Sequence, residues 1–318
     1  LLDQNNEEGK RRSRALSIYL GKQFEKENSV RFKQVDLQND ILSLFIDVPI
    51  YTGADSEFSK ESYNRQNRII NTLIKKLPEK ELPDSASFEE PEREYYSFEF
   101  DGKARIGAAT FFLNNMIQEE VPFVVLEGGP GQGKSTLTQY VCQVHRAKLL
   151  NKRNFLEKIN KTHNQQSARV PFRIDLRDLA VWLEGRNPFL IEKHSSKAII
   201  DKRSVENFLA HHISFETGGI DFSVNDFFSM IAKSHLLVIF DGLDEVPDFE
   251  RRNLVVAEIQ NSISRMKVET LSLQSIVTSR PAALSNAPGL PKDSFPVFVL
   301  DAVTPDLAKE YARNWAGA

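Results

Sequence analysis

At 318 residues and 41% hydrophobic content, the chain is long enough for two domains, or for one large domain with an extension, and apolar enough for a sizeable core. A formal charge of −3 excludes the strongly basic class that binds nucleic acid through its overall field. A single cysteine, Cys142, excludes an internal disulfide and fits a reducing, cytoplasmic compartment, and no apolar run approaches a membrane span or a signal peptide.

Residues 1–77 mix charged, helix-patterned segments with one apolar run at residues 41–50. The basic cluster Lys10-Arg11-Arg12-Ser13-Arg14 reads as a solvated helix face, and no catalytic constellation is expected in this part. Ile69, Ile70, Leu73, Ile74 and Leu77 form an apolar helical stripe that Pro78 stops. Residues 78–91, rich in Pro, Glu, Asp and Ser, read as a linker. The expected organisation is a smaller, α-rich N-terminal region over 1–94 and a second domain over 95–318. Regular structure is expected to resume at residues 95–100, followed by a helix over 104–117.

The most specific stretch comes next. Gly128-Gly129-Pro130-Gly131-Gln132-Gly133-Lys134-Ser135 fits the phosphate-binding pattern G-x-x-x-x-G-K-[ST]. Its glycines let successive N–H groups turn inward on an anion. Lys134 offers a point charge for β- and γ-phosphates, and the Ser135 hydroxyl offers a ligand for Mg²⁺. The apolar run Val121-Pro122-Phe123-Val124-Val125-Leu126 precedes the loop as a buried strand. Leu137, Tyr140, Val141 and Val144 follow it on one face of a helix. Strand, glycine loop and helix N-terminus together make an anion site.

Downstream, strand-like and helix-like segments alternate. Strands are expected at residues 170–176, 236–240, 273–278 and 297–300. Helical faces are marked by Val205, Phe208, Leu209 and His212, by Val224, Phe227, Phe228 and Ile231 behind a Ser223–Asp226 capping box, and by Val255, Ile259, Ile263 and Met266. That alternation predicts an α/β fold of the P-loop NTPase type, with a mainly parallel, helix-flanked sheet. The strand at 236–240 ends in Asp241, the place for a carboxylate that holds Mg²⁺ directly or through water. Asp244 and Glu245 follow, with Gly242 in the position beside the metal acid, so orienting the attacking water falls to one of those two acids. Ser275-Ile276-Val277-Thr278-Ser279-Arg280-Pro281 brings Arg280 to the same sheet edge, where it can read the γ-phosphate.

Together these pieces resemble a NACHT domain, a branch of the STAND class of signalling P-loop NTPases. The matching residues are 128–136, ending in Thr136, as Walker A; 170–179 as the second strand motif; 236–245 as Walker B with its added acids; and Thr278-Ser279-Arg280-Pro281 as sensor 1. The wording of residues 127–135 is most similar to bacterial members, including those of anti-phage defence systems. The resemblance implies a molecular switch in which ADP holds a closed form, ATP replaces it after a trigger, and protomers assemble to cluster effectors. It implies adenine nucleotides with Mg²⁺, homo-oligomerisation on activation, and a trigger, such as a phage component, sensed by a C-terminal region. No winged-helix region or repeat sensor fits before Ala318, and the chain reads as a piece of a longer protein.

The alternative is a work-producing ATPase of AAA or helicase type, against which Gly242 and the lack of a basic, aromatic-rich nucleic-acid track both argue. An interaction module with a decayed site ranks last, since Lys134, Ser135, Asp241 and Arg280 are all present. Cys142, Trp182 and Trp315 read as packing residues, and His211, His212 and His235 as core or surface histidines.

Overall fold

The computed structural model describes residues 7–31, 38–52, 68–72, 105–189, 203–281, 290–291, 294–303, 305, 307–309 and 312–313. The expected linker at 78–91, the domain boundary near 94, the segment at 95–100 and Trp315 lie outside the described residues.

The chain enters through a long helix, α1 (Glu7–Glu27), with Glu7 and Glu8 in its first turn and Lys26 in its last, the polarity that suits the helix dipole. Two short strands, β1 (Ser29–Arg31) and β2 (Gln38–Asp40), then pair antiparallel as a separate ribbon. The apolar run at 41–50 is not one element: it divides into a helical turn, Ile41–Leu44, and a strand, β3 (Pro49–Thr52). Pro49 lacks an N–H and is tolerated because it opens the strand.

The expected helix over 104–117 is also divided. A short strand, β4 (Ile106–Gly107), precedes α2 (Ala108–Leu113), and a second short helix runs Asn115–Glu120. Asn114 makes the break: its backbone is extended (φ −74, ψ 126), and its side chain accepts a hydrogen bond from Met116 N at 2.9 Å. A short amide that can bond its own backbone two residues on competes with the helix ladder, and here it restarts the helix. Asp47, next to β3, accepts bonds from Ala109 N at 2.6 Å and Thr110 N at 3.1 Å, and so ties α2 to the N-terminal segment.

The parallel part follows. Strand β5 (Phe123–Glu127) leads through the glycine loop into α3 (Lys134–Leu149). Strand β6 (Val170–Asp175) leads into α4 (Leu176–Leu183). Helices α5 (Val205–Glu216) and α6 (Val224–Ile231) precede β7 (His235–Asp241). Helix α7 (Phe249–Glu269), β8 (Ser272–Ser279) and β9 (Val297–Leu300) complete the elements that carry the sheet. The Ser223–Asp226 capping box at the start of α6 is formed in both directions.

All but β1 and β2 join one seven-stranded sheet, ordered β4-β3-β9-β5-β8-β7-β6. The run β9-β5-β8-β7-β6 is parallel, while β3 and β4 add antiparallel at one edge. The expected α/β class with a mainly parallel sheet is therefore what the chain forms. Strand β7 shows why: residues Leu236, Leu237, Val238, Ile239 and Phe240 are all 0% exposed. Leu236, Val238 and Phe240 pack with Leu179, Phe208 and Ile259 on one face, and Leu237 and Ile239 pack with Phe112 and Val141 on the other. A strand covered on both faces must be apolar at every position. Each such side chain contributes about 1.5–3 kcal/mol on burial.

The described parts of the N-terminal region share this architecture. Strand β3 bonds directly to β9, and the α1 residues Ala15, Leu16, Tyr19 and Leu20 join the same core as α4, α5 and α7. Arg11 and Arg12, expected on a solvated face, instead close on Asp226 at 2.9 and 3.5 Å. A carboxylate already fixed by the α6 capping box gives them a rigid partner. Cys142 is buried, and burial pushes its thiol up to about 12, which suits a packing residue. Trp182 is likewise enclosed, with Phe208 and His211 edge-on to its ring. Among the described residues, no helix is long and apolar enough to cross a membrane.

Candidate nucleotide-binding site

Parallel strands end on a common edge, so the loops after β5, β6, β7 and β8 meet there. Strand β8 lies between β5 and β7 and is hydrogen-bonded to both. The Gly128 N–H donates to Ser279 O at 3.2 Å, which fastens the start of the glycine loop to the end of β8.

Gly133 stands at the head of α3 with φ 87 and ψ 15, a left-handed conformation that other residues adopt at a cost. No side chain caps the helix there. The first-turn amides of α3 are thus left for an anion, in the field of the helix dipole. Gln132 Oε1 accepts from Gly129 N–H and closes the loop on itself. Lys134 folds back over the loop, and its Nζ donates to Gly128 O at 2.5 Å and Gly129 O at 3.1 Å. Gly131 and Pro130 are exposed at the loop tip, and Ser135 is exposed at the helix start, with Thr136 half-buried behind it.

On the acidic side, β7 delivers Asp241, which is 8% exposed. Its Oδ1 accepts from Thr278 Oγ1 at 2.6 Å and its Oδ2 from Arg173 Nη2 at 2.5 Å. The Gly242 N–H donates to the same Thr278 hydroxyl at 2.8 Å. Gly242 has φ 85 and ψ 51, so the chain can reverse directly after Asp241 and form a short 3-10 turn, Leu243–Glu245. Leu243 is buried and pins that turn. Gly242→Ala is expected to cost roughly 1–2 kcal/mol through left-handed strain and to displace Asp244 and Glu245. A urea midpoint unchanged from the parent would contradict this.

The two later acids diverge. Asp244 Oδ2 pairs with Arg280 Nε at 2.8 Å, and Glu245 Oε2 pairs with Arg177 Nε at 3.1 Å. Arg177 is itself held by Asp175, the N-cap of α4, through its Nη2 at 2.5 Å. Asp244 is the more enclosed carboxylate, 11% exposed against 42% for Glu245.

The arms converge on Lys134. Burial pulls its ammonium below the usual pKa; Asp244, Asp241 and Glu245 oppose that shift, and Arg280 adds to it. All four charges therefore act on the glycine-loop lysine. Ser135 joins through Thr138, whose hydroxyl donates to Ser135 O at 3.1 Å and accepts from Arg173 Nε at 3.3 Å. The Ser135 hydroxyl and the Asp241 carboxylate are hard oxygen donors, the set that fits Mg²⁺. Among the described residues, no group of three or more His, Cys, Asp and Glu side chains forms a metal cluster.

Several participants had no role in the sequence reading. Arg173 sits in the buried strand β6, where a lone charge between Phe172 and Ile174 was a signal that a partner must exist. Its Nη1 reaches Glu27 at 3.1 Å, on α1, a residue 146 positions away that carried no signal. Glu27 also accepts from Arg146, whose side chain is 1% exposed. Burial alone would raise the Glu27 carboxyl, but Arg146 and Arg173 outweigh it and hold the group below its usual range. Burial alone would lower Arg146, and Glu27 reverses that.

A family model described as nephrocystin 3, N-terminal, matches residues 110–280, more than half of the chain. No curated protein matches it. Among solved structures it is similar to the DUF1998 helicase MrfA bound to DNA, at 13% identity and a TM-score of 0.31, over 71% of this chain and 30% of that one. The chain thus spans less than a third of that helicase's length.

Proposed function

The chain belongs to the nephrocystin 3 N-terminal family, and from that premise we propose that it is an ATP-binding, slowly hydrolysing switch of the NACHT type. The observation that carries this reading is that the glycine loop, Asp241 and the Arg280–Asp244 pair are tied together at the carboxyl edge of the parallel strands, through Gly128 N–H to Ser279 O and Thr278 to Asp241. In this reading the amides of the glycine loop and of the α3 N-terminus hold the β- and γ-phosphates, and Lys134 moves from the loop carbonyls onto them. Ser135 and Asp241 would hold Mg²⁺, which would supply charge to offset that of the phosphates.

Arg280 is the γ-phosphate sensor. It is paired with Asp244 at 2.8 Å, and a γ-phosphate is a stronger competing anion. Exchange of partners frees Asp244 to orient the attacking water and take its proton, with Glu245 as the other candidate. ATP and ADP then differ in whether Arg280 leaves Asp244. A switch needs that kind of differential contact between its states.

The same reading assigns the protein a cytoplasmic role in which nucleotide state governs self-assembly and effector activation. An anti-phage trigger, sensed by further segments, supplies the input. Support for this comes from the D-G-h-D-E wording at 241–245 and the loop wording at 127–135. Asp244→Asn is expected to lower ATP turnover roughly 10²-fold while ATP still binds, with Glu245→Gln as the comparison. If neither substitution slows hydrolysis, neither acid is the water-orienting group. Rapid turnover stimulated by DNA would favour a work-producing ATPase instead.

A further inference from the structure

Arg173 is shared between two carboxylates on different parts of the fold. Its Nη2 bonds Asp241 Oδ2 at 2.5 Å, its Nη1 bonds Glu27 Oε1 at 3.1 Å, and its Nε bonds Thr138 Oγ1 at 3.3 Å. Asp241 belongs to the metal site, Thr138 to the phosphate-loop helix, and Glu27 to α1, which lies upstream of the family segment 110–280. We propose that docking of α1 sets the metal affinity of the nucleotide site, with Glu27 as the positioning residue and Arg173 as the shared link. The inference rests on the nucleotide reading above.

Both Asp241 oxygens are engaged, by Arg173 and by Thr278. A cation drawn to Asp241 competes with the guanidinium for the charge on Oδ2. Arg173 cannot give up its charge, and a largely enclosed guanidinium needs another anion. Glu27 is that anion, fixed from behind by Arg146. With Glu27 in place, Arg173 can release Asp241 and remain paired. With Glu27 removed, Asp241 is its one carboxylate partner among the described residues, and Arg173 competes with the cation more strongly.

Helix α1 is held at both ends in a way that makes docking a definable state. Arg11 and Arg12 close on Asp226 at one end. At the other, Gln139 Nε2 donates to Glu27 O at 2.6 Å and Gln143 Nε2 to Phe24 O at 2.8 Å, which satisfies carbonyls that the helix C-terminus leaves open. Since coupling between sites is reciprocal, Mg²⁺-nucleotide binding should also tighten α1.

The test is calorimetric titration of the chain with ADP, in Mg²⁺ and in EDTA, for the parent, Glu27→Gln, Arg173→Met and the double variant. Glu27→Gln should keep the EDTA affinity and lose about tenfold of the gain that Mg²⁺ confers. In the Arg173→Met background the same change should alter nothing, because the competitor is gone. A full Mg²⁺ gain in Glu27→Gln, or an equal loss in both backgrounds, would overturn the proposal. Hydrogen exchange on the unaltered chain needs no substitution: α1 amides should exchange more slowly with Mg²⁺-ADP than with ADP in EDTA, and equal rates would also overturn it. A parent that binds ADP under neither condition would instead remove the nucleotide reading itself.

Discussion

Replacing Lys134 with alanine is expected to weaken ATP and ADP binding roughly 10- to 100-fold, from the loss of hydrogen bonds between charged groups worth about 1.5–3 kcal/mol. The ammonium is the positive group that crosses the glycine loop, where it bonds Gly128 O and Gly129 O, and in the proposed reading it leaves them for phosphate. Those carbonyls lie at the edge of the sheet, on glycines that belong to neither hydrophobic core cluster. The variant should therefore fold as the parent does, with a urea midpoint close to it. Isothermal titration and denaturation on the same preparation separate the two effects. Affinity equal to the parent's, with the fold intact, would mean that the loop does not hold phosphate.

The largest effect on stability is expected at Arg146. Arg146→Met removes a guanidinium whose side chain is 1% exposed and leaves Glu27 with Arg173 as its remaining partner. Removing one partner of a buried ion pair costs about 3–5 kcal/mol where the other charge is left uncompensated, and the retained Arg173 contact places the expected loss at or below the lower end of that range. The pH dependence should change as well. The folded-state pKa of Glu27 lies below its unfolded value, so the pair contributes stability above the unfolded pKa and loses it as pH falls through the folded one. Without Arg146 the folded pKa moves back up and the contribution shrinks. Urea unfolding between roughly pH 7 and pH 3 should show a parent that loses more stability on acidification than the variant does. Parallel curves would show that Glu27 takes no stabilisation from Arg146.

The fold was legible where one physical demand acted on contiguous residues. Strands β5 and β7 are enclosed on both faces, and each carries an unbroken apolar run; β8 reads through Leu273 and Ile276-Val277, although it also buries Gln274 and Ser275. The Ser223–Asp226 box is local chemistry over four residues, and it is formed as read. Elements that depend on distant partners were harder to see. The helix at 104–117 broke at Asn114 because a side-chain cap outcompeted the ladder, and the run at 41–50 split so that β3 could pair with β9. Arg11 and Arg12 resemble any solvated basic pair until Asp226 is placed beside them.

The candidate site follows the same division. Its glycines, Lys134, Asp241 and Arg280 lie at strand ends, where motif spacing and sheet direction place them on one edge. Gly242, the small residue beside Asp241, has a backbone reason: φ 85 lets the chain turn and bring Asp244 to Arg280. Glu27 stayed invisible because its role exists only once α1 is packed against α3 and β6.

The central claim is that this edge of the sheet grips a nucleoside polyphosphate. Its most direct test is calorimetric titration of the unaltered chain with ATP and with ADP in the presence of Mg²⁺. The expected result is a single saturable site for each nucleotide, abolished or strongly weakened in Lys134→Ala. An absence of binding, or binding that Lys134→Ala leaves untouched, would contradict it.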